Sequence, residues 1–138
     1  MQTGNENKVF LRIHEFDCLI EDITSELGIE PTKSWIKGDL IPDREGEIRR
    51  KQSTWEYQSQ LSQSEYIERH VESLLELVES KKESLQKFSK IYQTELAIVI
   101  YEYESPNVGF SLDKEIVQRI SDMGLILDVD IYVLIEKE

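Results

Sequence analysis

Leu96-Ala-Ile-Val-Ile-Tyr101 is the stretch on which the folding of this chain turns. Its almost continuous apolar run, at the start of Glu95–Glu104, reads as a central strand buried on both faces. Such a strand needs a partner on each edge and cover on its faces, and the flanking sequence supplies both. Downstream, Ser105-Pro-Asn-Val-Gly109 reads as a loop. Ser111 stands where it can cap a helix with the stripe Leu112, Ile116, Ile120 and Met123, ended by Gly124. Ile126–Ile135 then alternates, placing Leu127, Val129, Ile131, Val133 and Ile135 inward and Asp128, Asp130 and Tyr132 outward.

Upstream, Gln60 to about Tyr92 has helical periodicity, with Ile67, Val71, Leu74, Val78, Leu85, Phe88 and Tyr92 on one face. Ser62 and Glu65 have the form of a capping box at its start. An unbroken helix would be on the order of 45 Å long, longer than a domain of this size is wide. A kink or break near Ser80–Lys82 is therefore expected. Earlier still, Val9–His14 alternates as a half-buried strand, with Val9, Leu11 and Ile13 on one side and Phe10, Arg12 and His14 on the other. Asp17 can cap a helix carrying Leu19, Ile20, Ile23 and Leu27, which Gly28 stops and Pro31 keeps from resuming. Thr32–Lys37 reads as a short edge strand and Ser53–Gln58 as another, joined by a long tip containing the turn residues Pro42–Gly46.

Strand, capped helix, glycine stop and strand thus occur twice, at 9–58 and 96–135, with the long helix between. This points to an α+β two-layer sandwich of the ferredoxin-like, split β-α-β kind. A mixed sheet of four to five strands carries helices on one face. Its open face would show Phe10, Arg12, His14, Asp128, Asp130 and Tyr132, with Trp55 and Tyr57 as further candidates. One domain, 1–138, is expected, with 1–7 as a flexible tail.

Composition narrows the function. The net charge of −12 argues against nucleic-acid binding, which needs a basic surface. No run approaches the roughly 18 apolar residues of a membrane span, and the polar start lacks the apolar core of a signal peptide. A cytoplasmic location follows by default. A single cysteine leaves no internal disulfide and no cysteine-based zinc site. The charge is uneven: Lys33–Lys51 holds six basic residues against four acidic ones, so it is +2 and the remainder −14. That segment reads either as a solvated loop or as a positive patch that meets an acidic ligand.

Nucleotide-binding, hydrolase and metalloprotease signatures are absent. Cys18 sits at a helix start near His14, but Glu15, Asp17 and Glu21 disfavour a thiolate there. Asp128 with Asp130, and Glu102 with Glu104, are carboxylates spaced by two. They read as solvated strand charges or as part of a cation site. His70, alone in the long helix, is expected at its surface. Trp35 and Trp55 read as a packed pair that pins the irregular segment. Trp35, flanked by Lys33 and Lys37, also reads as an anchor for a partner.

Leu27-Gly-Ile-Glu-Pro-Thr-Lys-Ser-Trp-Ile-Lys-Gly-Asp39, followed by Ser53-Thr-Trp55, resembles the DUF4279 family of small bacterial domains of unknown function. Gly28, Pro31, Trp35, Gly38 and Trp55 carry the resemblance, which extends over nearly the whole chain. It implies a compact α+β domain and supplies no activity. The expectation is a non-catalytic binding module, without cofactor or metal, whose surface includes Trp35, Lys37, Asp39 and Trp55. One form is an acidic protein that masks a basic partner, as an immunity protein does. The alternative is a small-molecule-binding or regulatory domain, or a weakly signed enzyme, using Arg12, His14, Asp128, Asp130 and Tyr132. Self-association as a homodimer is a third.

Overall fold

The computed structural model describes residues 5–103 and 109–134. The apolar run lies in β4, Gln93–Glu102, which is buried without a break from Thr94 to Ile100. Its long partner is β1, Asn5–His14, and the two pair antiparallel from Asn5 against Glu102 to His14 against Gln93. In chain order the remaining elements are α1 (Ile20–Leu27), β2 (Lys33–Trp35), β3 (Thr54–Gln58), α2 (Ile67–Val78), α3 (Lys82–Ile91), α4 (Lys114–Asp122) and β5 (Ile126–Val133). The sheet runs β2-β3-β1-β4-β5, antiparallel throughout except between β4 and β5. The fold is α+β with a five-stranded mixed sheet.

The alternation of β1 and β4 sorts the sheet into two faces. Val9, Leu11 and Ile13 join Leu96, Ile98 and Ile100 in the main core cluster. All four helices contribute to it, among them Ile23 of α1, Val71 and Leu74 of α2, Phe88 of α3 and Ile120 of α4. The opposite parity forms a smaller cluster of Phe10, Ala97 and Val99, backed by Tyr101, with no helical residue in it. The expected break in the long helix is present: a 3-10 turn over Glu79–Lys81 separates α2 from α3. Gly28 and Gly124 both stand at helix ends with left-handed backbone, φ 66° and 75°.

Several expectations are corrected. Residues 5–7 belong to β1 and not to a tail, with Asn7 bonded through its backbone to Gln63 and through its side chain to Glu65. β4 and β5 are direct neighbours, so only the first β-α-β unit is split; β1 already occupies the other edge of β4. The caps also move. The backbone N–H of Leu19 bonds to Asp22 at the start of α1, and α4 is capped by Asp113, not Ser111. Ser62 belongs to a turn ahead of α2, which begins only at Ile67. His70 is 1% exposed, with Nε2 donating to the Ser62 carbonyl and Nδ1 accepting from the Ser59 hydroxyl. Burial lowers its pKa, against the opposing pull of Ser62 and Glu65.

Trp55 does not pack on Trp35. It pairs with Ile13 on the core face, fully buried, and donates its indole N–H to Thr24 of α1 at 3.1 Å. Trp35 pairs with Thr54, one residue out of phase, and so faces the other side. Leu127, Val129, Ile131 and Val133 are not enclosed but 40–48% exposed. β5 is an edge strand, and α4 directs Ile116 and Ile120, with the Met123 that follows it, into the main cluster, which includes no β5 residue. Ile135, Glu104 and the 105–108 part of the predicted loop lie outside the described residues.

The two helix-stop glycines should differ in tolerance. Alanine at position 28 meets only the flexible end of Lys81, so Gly28→Ala should cost about the 1–2 kcal/mol of a left-handed alanine. At Gly124 the added methyl would also run into the Ser89 side chain. Gly124→Ala should therefore be clearly the more destabilising in urea titrations, and equal losses would refute the packing argument.

Candidate functional site

The face of the sheet away from the helices is crossed by two rows of residues set by strand register. One row runs Trp35, Thr54, His14, Gln93; the next runs Lys33, Glu56, Arg12, Glu95. The segment between β2 and β3 folds back as a ribbon. Gly38 N–H bonds to Arg50 O, Arg50 N–H to Asp39 O, and Ile41 N–H to Ile48 O. Asp43 and Gly46, both at positive φ, lie near its tip. Below the ribbon is a hollow of about 360 Å³, lined among others by Trp35, Arg12, His14, Ile41, Ile48 and Arg50.

Polar groups on the floor of the hollow are matched. Arg12 Nε donates to Glu56 at 3.0 Å, and its guanidinium lies 4.3 Å above the Phe10 ring. His14 Nε2 stands 3.1 Å from Glu95, and Nδ1 2.9 Å from the Thr54 hydroxyl. A carboxylate only accepts, so Nε2 carries the shared proton. Burial would push the Glu95 carboxyl up. The hydrogen bond and charge of His14, the Gln93 amide and nearby Arg12 outweigh burial and hold the carboxyl below its ordinary value. Hydroxyl, imidazole and carboxylate stand here in the order of a nucleophile, a base and its orienter. Thr54 is 1% exposed, however, so its oxygen is enclosed and the chain of bonds serves to fix the ring.

The rim differs. Arg50 lies 3.9 Å above the Trp35 ring, a cation–π stack, and Arg49 donates to the Gly38 carbonyl at 2.8 Å. Lys51 also lines the hollow. Among the described residues no carboxylate is ion-paired to Arg50 or Lys51, and the nearest to Arg49 is Glu47 at 3.9 Å.

The sequence-predicted site residues therefore divide. Arg12, His14 and Trp35 meet at the hollow. Asp39 serves the ribbon, its carboxylate accepting the Ile36 N–H at 2.8 Å, while Lys37 is exposed and bonds through its backbone to Ser53. Trp55 is core and leaves the surface set. Asp128, Asp130 and Tyr132 occupy β5, at the far end of the same face. There Tyr132 stacks on Tyr101 at 5.2 Å. Burial, Glu95 and Asp130 all push the Asp128 carboxyl up. Cys18 is half-buried against the core. Among the described residues no group of three His, Cys, Asp or Glu is placed to hold a metal ion, and no helix is long and apolar enough to cross a membrane. Sequence reading missed Thr54, Glu56, Glu95, Ile41 and Ile48 as lining or supporting residues. The adjacent Arg49-Arg50-Lys51 was the signal that could have placed the rim.

The family model for DUF4279, a domain of unknown function, matches residues 5–134. The chain belongs to the DUF4279 family. Within this DUF4279 domain, the motif residues split between support and site. Gly28 ends α1, Trp55 fills the core, Gly38 (φ 96°) opens the ribbon and Trp35 lines the hollow. No curated protein and no solved structure matches the chain.

The His14–Glu95 contact has a pH signature. Folding lowers the Glu95 pKa, so the stabilisation is complete above about pH 4.5 and is lost as the pH falls through the lower folded value. Glu95→Gln should cost about 1–3 kcal/mol at pH 7 and flatten the loss of stability below pH 4.5. Unfolding titrations from pH 3 to 7 test this, and parallel curves for the two proteins would overturn it.

Proposed function

We propose that this DUF4279 domain is a non-catalytic binding module whose ligand enters the hollow beneath the 36–52 ribbon. The carrying observation is the convergence of Arg49, Arg50 and Lys51 with Trp35 on one concavity, in a chain of net charge −12. Basic residues gathered at a hollow while the rest of the surface is acidic favour an acidic ligand over an acidic neighbour. The floor supports the same reading. Arg12 with Glu56, and His14 with Glu95, form a pre-set base that needs no rearrangement to receive a ligand. In this reading the domain is a cytoplasmic two-layer sandwich, ferredoxin-like in its first, split unit. It needs no cofactor or metal.

A second reading is favoured by the −14 carried outside Lys33–Lys51: the acidic remainder masks a basic protein partner, as an immunity protein would. The two differ in where the partner sits. Trp35→Ala tests them, because Trp35 is half-buried on a short edge strand and its loss leaves the core intact. Material co-purifying with the protein from its native host, identified by mass spectrometry, should be retained by the wild type and lost from the folded variant. If the folded variant retains everything, the hollow is not the site. A retained basic protein released by salt would then support the masking reading.

A further inference from the structure

We propose that the ligand of the hollow is a small oxyanion, a carboxylate or phosphate attached to an apolar body, with Arg50 as its anchor. This deepens the binding reading and rests on it. The argument begins with charge. Glu56 on the floor, and Glu95 behind His14, would repel an anion if bare, but Arg12 and His14 are bonded to them. Arg50 and Lys51 on the rim have no carboxylate ion-paired to them among the described residues, in a chain with 28 acidic side chains. What sets these two apart is that they gather with Arg49 at one concavity beside Trp35, a place where negative charge can be supplied from outside.

The geometry adds the chemical class. A guanidinium held over an indole at 3.9 Å keeps its N–H fork available to meet two oxygens of one planar or tetrahedral anion. Less freedom is lost on binding because Trp35 already holds the group. Ile41 and Ile48 of the ribbon give the hollow an apolar wall beside that fork. A ligand that used both would place its charge at Arg50 and its body under the ribbon. At about 360 Å³ the space lies at the small end of the ~300–1,000 Å³ range of ligand sites. That suits a single ring or a short branched chain better than a nucleotide.

Benzoate, phenyl phosphate and neutral benzyl alcohol are the probes, followed by amide and indole shifts in ¹H–¹⁵N spectra of the full chain. Shifts at the Trp35 indole, Gln52 and Thr54 are expected with one or both anions and not with the alcohol. The anion that binds identifies a carboxylate or a phosphate head. Arg50→Gln should weaken binding about tenfold or more, as for loss of a charge-assisted bond. Arg50→Lys, which keeps the charge but not the fork, should lose most of the same affinity. Equal shifts from all three probes would overturn the oxyanion assignment and leave the hollow as a binding site. Undiminished anion binding by both Arg50 variants would remove Arg50 as the anchor. No shift from any probe, alongside a host ligand lost from Trp35→Ala, would overturn the assignment and keep the binding reading.

Discussion

The antiparallel ladder between β1 and β4 is the constraint on which the rest depends. Because side chains alternate along a strand, fixing Val9 opposite Ile98 and Leu11 opposite Leu96 fixes both faces at once. One parity builds the core beneath four helices. The other aligns Arg12 with Glu95 and with Glu56, so the charges that neutralise one another are neighbours by register. A slip of one residue would bury Arg12 and expose Leu11. The hydrophobic requirement of the core therefore also enforces the polar arrangement of the open face.

That open face works by graded neutralisation. Near β1 and β4 the charges of His14, Glu56 and Glu95 are buried and paired, as burial demands. Aromatic rings carry part of the load: Arg12 over Phe10, Lys8 over Tyr101 and Arg50 over Trp35 all set a cation against a π face. Moving outward to the ribbon, the pairing thins to the exposed Arg49–Glu47 contact while the aromatic contact persists at Arg50. The difference between floor and rim sets this hollow apart from the rest of the open face.

Much of this was legible in the sequence. The apolar run of β4, the alternation of β1, the break between α2 and α3 and both glycine stops follow from local pattern and local geometry. What escaped depends on contacts distant in sequence. Trp55 and Trp35 both lie in short strands whose phase is set only by pairing with Ile13 and Thr54, so their faces could not be assigned from either strand alone. His70 resembles a surface histidine until the turn at Ser59–Ser62 folds over it and supplies two partners. Capping was misplaced because Asp17, Ser62 and Ser111 are good caps by type, and the chain starts its helices later. Glu95 gave no sign of a role, since its significance comes from Arg12 opposite it and His14 diagonal to it on β1. The basic cluster was visible, but its concavity was not.

The edge strand β5 has a further physical consequence. It presents Leu127, Val129, Ile131 and Val133 half-open on one side and Asp128 and Asp130 on the other, and among the described residues one of its edges pairs with no strand. Such an edge invites another strand, and charge is what holds copies apart. Asp128 gives up that charge early on acidification, because its carboxyl is already pushed upward. Near the isoelectric point of about 4.6 the long-range repulsion also vanishes. Acidification thus strips protective charge from an exposed strand at the edge of the sheet opposite the ribbon.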